Sequence, residues 1–330
     1  MDPNLAMETA TEGAKAVTKF QEILQKIFGP QWTKNQADAD AYADEKKLKT
    51  IRENSDMDIK YVDGKMSACK KTPEALAYRA ERRMTEDSIR QEKNLEDIFE
   101  ITSQEIQQEE NVSDTPVDDD WLSRFLNIAK DVNSQGMRYI WAKILSGEIK
   151  KPGSFSLRTL ETIRNMTKEE AEIFQKIMPL VVNIGEVLLV TSKSNILNKH
   201  NITYDSILAL DECGLINSAR DLTFGVMVAK NRQAIIHTQE RMVNIIGTND
   251  KDTEISIDCY PVTKAGKELY GILDHIVDNE YLVDLASDVY TKNRGKAIIS
   301  IYAIDSISGN TINYKEDPII TFGEDVNIIS

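Results

Sequence analysis

The histidines are the first side chains to consider for chemistry, because they bind metals and move protons near neutral pH. His200, His237 and His275 are each isolated in the sequence. An isolated histidine is usually structural, although folding could bring the three together. The sequence also contains no glycine-rich phosphate loop, no G-x-G-x-x-G, no H-E-x-x-H and no G-x-S-x-G. These observations lower the odds of a nucleotide-dependent enzyme, a zinc protease or a serine hydrolase.

Two groups of acidic residues have the spacing of metal ligands. Glu148-Ile149-Lys150 matches the E-x-K half of a metal-dependent nuclease site, but it follows a helical pattern and no strand upstream offers an aspartate to share the metal. Asp118-Asp119-Asp120 could hold a metal, or could cap the helix that follows, where carboxylates suit the helix dipole. We favour capping, and we predict no catalytic residue, no metal site and no cofactor. A hydrolase whose site is assembled only in three dimensions stays open.

The composition is that of an ordinary globular protein with an acidic balance. The chain has 330 residues, of which 41% are hydrophobic and 28% charged, and its formal net charge is −14. This composition argues against a largely disordered protein and against a small protein held together by disulfides. Cys69, Cys213 and Cys259 are odd in number and far apart, which favours a reducing compartment. With no signal peptide pattern and no apolar run long enough to span a bilayer, we expect a soluble cytoplasmic protein.

Helical patterns dominate the first half of the chain. Residues 74–108 contain no Gly or Pro and carry a thin apolar stripe, typical of a helix that packs on another copy or another domain. From residue 121 to 177, apolar residues at helical spacing predict four shorter helices. Trp121 and Trp141 could stack on a ligand, but their spacing with other apolar residues favours a place in the core.

The charge of the chain changes sign abruptly near residue 120. Ten acids and no base lie in 96–120, whereas 121–168 carries nine bases and three acids. The basic residues around a Pro-Gly loop are Lys150, Lys151, Arg158, Arg164 and Lys168. They could bind phosphate groups, or they could neutralise the acidic segment beside them, which we favour because the compensating charge is adjacent in sequence. For Arg158 we expect a buried or bridging pair with an Asp or Glu.

Three motifs give the chain a family resemblance. The segments W-L-S-R-F (121–125), W-A-K-I-L-S-G-E-I (141–149) and P-G-S-F-S-L-R-T-L (152–160) resemble a bacterial family catalogued as domain of unknown function 2806. The resemblance covers residues 90–180 well and implies acidic helical sequence before it and a mixed segment after it. It implies no activity. Families of this kind often lie among mobile-element and phage-defence genes, so the resemblance also implies such a setting.

The part that follows residue 181 mixes helices and strands. A short helix (204–212) ends at Gly214-Leu215-Ile216, and β-rich runs at 222–228, 234–237, 242–246 and 255–260 precede Thr263-Lys264-Ala265-Gly266. This arrangement resembles a winged-helix domain. The helix 204–212 carries no base, and 197–277 has a net charge of −3, which disfavours nucleic acid as its ligand. Basic residues are nevertheless present in the corresponding wing. They are Lys230, Arg232 and Arg241.

These observations combine into one predicted architecture. The fold class is mainly α with a smaller α+β part: a helical bundle followed by a winged-helix-like domain. The predicted parts are N-terminal helices (1–52), a linker or loop (53–73), a long helix with a central helical bundle (74–180), a winged-helix-like α+β domain (181–278), and a C-terminal helix with a β-hairpin (279–330).

Two functions are compatible with this architecture. The first is a non-enzymatic oligomerising scaffold or protein-interaction protein, a homo-oligomer with a protein partner of unknown identity and no membrane span. The alternative is a DNA-binding regulator or defence sensor that uses the winged helix and the basic loop at 150–168. The acidic net charge disfavours the second function.

Overall fold

The computed structural model describes residues 3–28, 59–62, 65–68, 73–106, 112–219, 222–309 and 311–323. It divides into two compact units, Met1–Leu157 and Arg158–Ser330. The helices expected from 29 to 52 lie outside the described residues, and the division of the chain into five parts stays a prediction.

Unit 1 is a set of helices with one small hairpin, which lies within the predicted linker 53–73. Its elements are α1 (Pro3–Phe28), β1 (Ile59–Val62), β2 (Lys65–Ala68), α2 (Pro73–Ile106), α3 (Asp119–Ala129) and α4 (Gln135–Lys150). α2 has 34 residues and is therefore about 51 Å long. Asp118 caps α3 by accepting a hydrogen bond from the backbone N–H of Trp121 at 2.8 Å, which confirms the capping interpretation of the aspartates.

The core of unit 1 is aromatic, as the spacing predicted. Trp121 and Trp141 are 5% and 0% exposed. Phe125 stacks on Trp121, with ring centroids 5.2 Å apart, and meets Trp141 edge-on at 5.3 Å. Such offset and edge-to-face contacts add to the free energy gained by burial of the rings. Both tryptophans therefore belong to the core.

Unit 2 contains a large sheet with helices around it. Its helices are α5 (Leu157–Asn165, beginning at the last residue of unit 1), α6 (Lys168–Ile177), α7 (Ser194–Lys199), α8 (Tyr204–Glu212), α9 (Lys264–Tyr270) and α10 (Asn279–Lys292). Its strands are β3 (Val182–Ile184), β4 (Val187–Thr191), β5 (Thr223–Val228), β6 (Gln233–His237), β7 (Arg241–Gly247), β8 (Thr253–Pro261), β9 (Ala297–Ser308), β10 (Thr311–Tyr314) and β11 (Ile320–Phe322).

The nine strands that the structure describes in unit 2 join one antiparallel sheet. The strand order is β10-β9-β7-β6-β3-β4-β8-β5, and β11 pairs with β9 as well. Strand pairing is weakest at the middle of the sheet, where the single residue pair Asn183–His237 joins β3 to β6. β9 is the longest strand, and it pairs with β7 over its first seven residues and with β10 towards its end.

The predicted fold class is wrong. Of the residues that the structure describes, about 51% are helical and 23% are in strands, and a nine-stranded antiparallel sheet lies in the C-terminal half, so a helical bundle followed by a winged-helix-like domain does not describe the fold. The individual strands β5 to β8 were predicted from their β-branched residues, but their pairing was not. The decisive pairings are non-local, since β7 meets β9 across more than fifty residues, and no local pattern reports them. The apolar run 178–190 likewise divides into a 3₁₀ turn, β3 and β4.

One corner of unit 2 requires a glycine. Thr263 is the N-cap of α9, and its hydroxyl donates to the carbonyl oxygen of Gly214 at 2.6 Å and accepts from the N–H of Gly266. A Cβ on Gly266 would collide with the carbonyl oxygen of Leu215 and lie 2.6 Å from Cγ1 of Val262. The backbone of α9 can therefore approach Leu215 only because residue 266 has no side chain.

We expect Gly266→Ala to lower the free energy of unfolding by about 2 kcal/mol or more, because the backbone must shift to admit the methyl group. The matched control is Gly136→Ala in α4, where an added Cβ meets nothing within 4 Å. There, alanine should be neutral or stabilising, since it is the better helix former. Chemical denaturation of both variants measures the difference, and equal stabilities would show that the corner is not constrained.

Candidate functional site

The three motifs of the family resemblance meet in unit 1 around a buried glutamate. Glu148, near the end of α4, is 1% exposed. Its carboxylate accepts hydrogen bonds from the backbone N–H of Gly153 at 2.6 Å and of Phe155 at 3.0 Å. The indole N–H of Trp121 donates to the carbonyl oxygen of Phe155 at 2.8 Å. The Pro-Gly loop is therefore held from both sides, and Glu148 organises a loop instead of binding a nuclease metal.

Among the described residues, acids of the segment 96–120 pair with cations of α1 and α4. Asp97 pairs with Arg138, and Glu105 lies 2.8 Å from the ammonium of Lys143. Lys26 of α1 contacts Asp119 at 2.6 Å. The neutralisation of this segment by the basic loop stays a prediction.

Lys19 of α1 is a further, partly buried lysine. Its ammonium donates to the carbonyl oxygens of Ser113 and of Thr115, the latter at 2.6 Å. Burial lowers the pKa of Lys19, although the nearby carboxylates of Asp114 and Glu22 oppose the shift. Lys19 therefore fixes the entry into α3 through backbone contacts.

The predicted basic residues from 150 to 168 are distributed over three helices. Lys150 is the last residue of α4 and Lys151 its C-cap. Arg158 and Arg164 lie on α5, and Arg164 contacts Glu161 at 3.5 Å. Lys168, the first residue of α6, contacts Glu172 at 3.5 Å. Arg158 is exposed and makes no ion pair within the described ranges, so the expected buried pair is not found.

The predicted wing residues lie at two different ends of the sheet. Lys230 and Arg232 lie on the turn between β5 and β6, whereas Arg241 begins β7. Because β7 ends at Gly247, beside the β5–β6 turn, Arg241 lies about 20 Å away, at the other end of the strand. The structure therefore brings two of the three wing residues together.

Three further cations lie at the same end of the sheet as Lys230 and Arg232. They are Lys251 on the β7–β8 turn, and Arg294 and Lys296 on the α10–β9 turn. All five cations are exposed. The sequence analysis missed these three because up to 66 residues separate them from Lys230 in the chain. We call the turns 229–232, 248–252 and 293–296 the basic sheet end.

A second charged cluster surrounds Asp258 on β8. Its carboxylate accepts from the ammonium of Lys193 at 2.6 Å, from that of Lys292, and from the hydroxyl of Thr223 at 3.1 Å. Burial acts to raise the pKa of Asp258, but the two lysines outweigh it and bring it to about 2. For Asp288 nearby, burial and the charge of Asp258 raise the pKa. The cluster ties β8 to α10 and to the β4–α7 connection.

His200 links α7 to α10 in a third cluster. Its Nδ1 lies 2.7 Å from Asp278 and its Nε2 3.0 Å from Asp284, and its side chain is 7% exposed. Lys199 adds a bond to Asp284 at 2.9 Å. His200 thus joins the end of α7 to α10 through contacts with two carboxylates.

The described residues offer little for catalysis. Across the described ranges, no group of three or more His, Cys, Asp or Glu side chains could hold a metal ion. Burial raises the pKa of the Cys213 and Cys259 thiols to about 11, so neither is an activated thiolate. None of the helices that the structure describes is long and apolar enough to cross a membrane.

The bonds of Glu148 predict a loss of stability when its carboxylate is removed. Glu148→Ala leaves two loop N–H groups without their charged acceptor, and we expect the free energy of unfolding to fall by about 2–3 kcal/mol. Glu100→Ala on the exposed face of α2 is the control and should have little effect. Chemical denaturation distinguishes them, and equal effects would contradict the role of Glu148.

The Asp258 cluster predicts a pH-dependent stability. Because its folded-state pKa of about 2 lies below the ordinary value of 3.8, Asp258 contributes stability that is full above about pH 4 and is lost as the pH falls through about 2. Asp258→Asn should therefore destabilise the protein at pH 7, by an amount that shrinks towards pH 2. Denaturation midpoints across this range measure the effect, and Asp274→Asn on the surface is the control. A difference independent of pH would contradict the assignment.

Comparison with known proteins gives one match. A family model described as protein of unknown function (DUF2806) matches residues 78–286, which runs from α2 into α10. Neither the search of curated proteins nor the search of solved structures returned a match. Since the matched region exceeds half of the 330 residues, the chain belongs to the DUF2806 family of proteins of unknown function.

Proposed function

We propose that this protein is a non-enzymatic assembly protein that associates with a second copy of itself through the N-terminal half of α2. The observation that carries the proposal is a short row of apolar side chains in the N-terminal half of α2, none of them buried, close to the side of the helix that is buried in its C-terminal half. The setting in phage defence or mobile-element biology stays a prediction.

The covered part of this face is the C-terminal half of α2. Leu95, Ile98 and Thr102 are buried there. α2 and α4 run parallel, since Asp97 pairs with Arg138 and Glu105, further along α2, pairs with Lys143, further along α4. At 100° per residue, the three buried positions lie on one side of the helix.

The uncovered part continues on the same side of the helix. Leu76, Ala80 and Met84 follow one another at four-residue steps. At 100° per residue, Ala80 and Met84 fall within the angular range of Leu95 and Ile98, and Leu76 lies about 40° beyond Ile98. Leu76 is 54% exposed and Met84 70% exposed. Of the side chains described between residues 76 and 90, none is buried.

A second copy of α2 is the partner that this face fits most directly. A two-fold axis places the same stripe of each copy against the other, so one surface supplies both sides of the interface. Small Ala80 between the larger Leu76 and Met84 allows the two helices to approach closely. Apolar side chains arranged in a row, unlike single exposed ones, mark an interaction surface.

We expect the purified protein to have a mass that is a defined multiple of 37.3 kDa by light scattering. Leu76→Asp with Met84→Asp should reduce that mass, because the two carboxylates would be buried without partners in the interface. The control is Ile276→Asp with Ile319→Asp, which changes two exposed apolar residues of unit 2 and should leave the mass unchanged.

A monomeric wild-type protein would overturn self-association. An oligomer that the α2 variant leaves intact would show that another surface holds it together. Circular dichroism of the variants checks that each is still folded.

A further inference from the structure

The basic sheet end is one continuous surface held together by backbone hydrogen bonds. The N–H of Lys230 donates to the carbonyl oxygen of Asn249 at 2.8 Å, which joins the β5–β6 turn to the β7–β8 turn. The N–H of Thr248 donates to the carbonyl oxygen of Lys296 at 3.0 Å, and its hydroxyl donates to Gly295 at 2.8 Å, which joins the third turn. The cations therefore have fixed backbone positions relative to one another.

The basic sheet end is positively charged, whereas the chain as a whole is negatively charged. The three turns contain five cations and two acids, Asp250 and Asp252, so their local net charge is +3, against a net charge of −14 for the chain. Lys251, Arg294 and Lys296 have no ion-pair partner among the residues that the structure describes. Charges more than about 10 Å away are largely screened at 0.1 M salt, so an anion at this surface experiences mainly the local excess.

We propose that the basic sheet end binds the phosphodiester backbone of duplex nucleic acid. This goes beyond the proposed assembly function and uses a different unit of the chain. Lysine and arginine side chains on exposed turns are suited to phosphate oxygens, and the exposed amides of Asn231 and Asn249 add uncharged donors.

The composition of the turns favours this ligand over an acidic peptide or a lipid surface. Across 230–232, 249–252 and 294–296 every residue is Lys, Arg, Asn, Asp or Gly. A peptide is usually held by apolar pockets or a strand edge, and a membrane surface by inserted apolar side chains as well as charge. The turns offer neither, so the contact is with phosphate groups and carries no sequence preference.

Two of the five cations are already paired, but weakly. Lys230 contacts Asp250 at 3.2 Å and Arg232 contacts Asp252 at 3.1 Å, and the side chains of both pairs are more than half exposed. Exposed pairs of this kind contribute little, so a phosphate can replace the carboxylate at small cost. Asp250 and Asp252 therefore compete with the ligand for the same cations.

The first test is charge reversal of the three unpaired cations in the full chain. Fluorescence anisotropy with a random 30-base-pair DNA duplex should give a salt-dependent affinity for the wild type. The triple variant Lys251→Glu, Arg294→Glu, Lys296→Glu should bind on the order of tenfold more weakly or worse, and the slope of log K against log salt should fall by about 3.

The control variant changes net charge equally at exposed lysines elsewhere in unit 2. It carries Lys176→Glu, Lys264→Glu and Lys315→Glu. Its affinity should stay close to that of the wild type, with at most a small general decrease. An equal loss in both variants would overturn the proposal, because the effect would then come from net charge alone.

A gain of affinity provides a second test that misfolding cannot imitate. Asp250→Asn with Asp252→Asn frees Lys230 and Arg232 and should bind the duplex several-fold more tightly, with a steeper salt dependence. No binding by the wild type at 50 mM salt, or no gain in this variant, would overturn the proposal. Binding of poly-glutamate or of anionic vesicles with higher affinity than the duplex would overturn it in favour of an acidic protein or a membrane surface.

Discussion

The apolar face of α2 is the constraint on which unit 1 depends. α4 lies along the C-terminal half of this face, and Phe20 of α1 packs against Phe99. The side-chain amide of Asn94 donates to the carbonyl oxygen of Lys130 at the end of α3. A helix of 34 residues with polar surroundings on its other sides can be stable only if this stripe is buried. Unit 1 buries half of it, and the other half is the surface from which we propose assembly.

Local charge balance explains how a strongly acidic chain retains a cationic surface. In unit 1, acids of the 96–120 segment are paired with lysines and arginines of α1 and α4, and a partly buried lysine, Lys19, donates to backbone carbonyl groups. In unit 2, Asp258 binds two lysines and His200 binds two aspartates. The formal charge of −14 is the sum over all such clusters, so it does not predict the sign of the charge at any one turn.

The sequence predicted what is local in this protein and missed what depends on distant contacts. The cap at Asp118 and the end of α8 before Gly214 both occur as expected, because each depends on residues a few positions apart. The nine-stranded sheet was missed because β9 meets β7 and β11 across long stretches of chain. The basic sheet end was missed for the same reason. Arg241 was grouped with Lys230 and Arg232, but strand direction places it at the other end of the sheet. A signal was available in two of the turns, whose sequences K-N-R and R-G-K are short and basic.

The single pair Asn183–His237 divides the sheet of unit 2 into two parts joined along a narrow seam. The turns β5–β6 and β7–β8 both cross from one part to the other at the basic sheet end. Any rotation of the two parts about the seam would therefore change the spacing of the cations on these turns. By reciprocity, an anion that spans the turns would hold the two parts in one orientation, so occupancy of the surface and rigidity of the sheet would rise together.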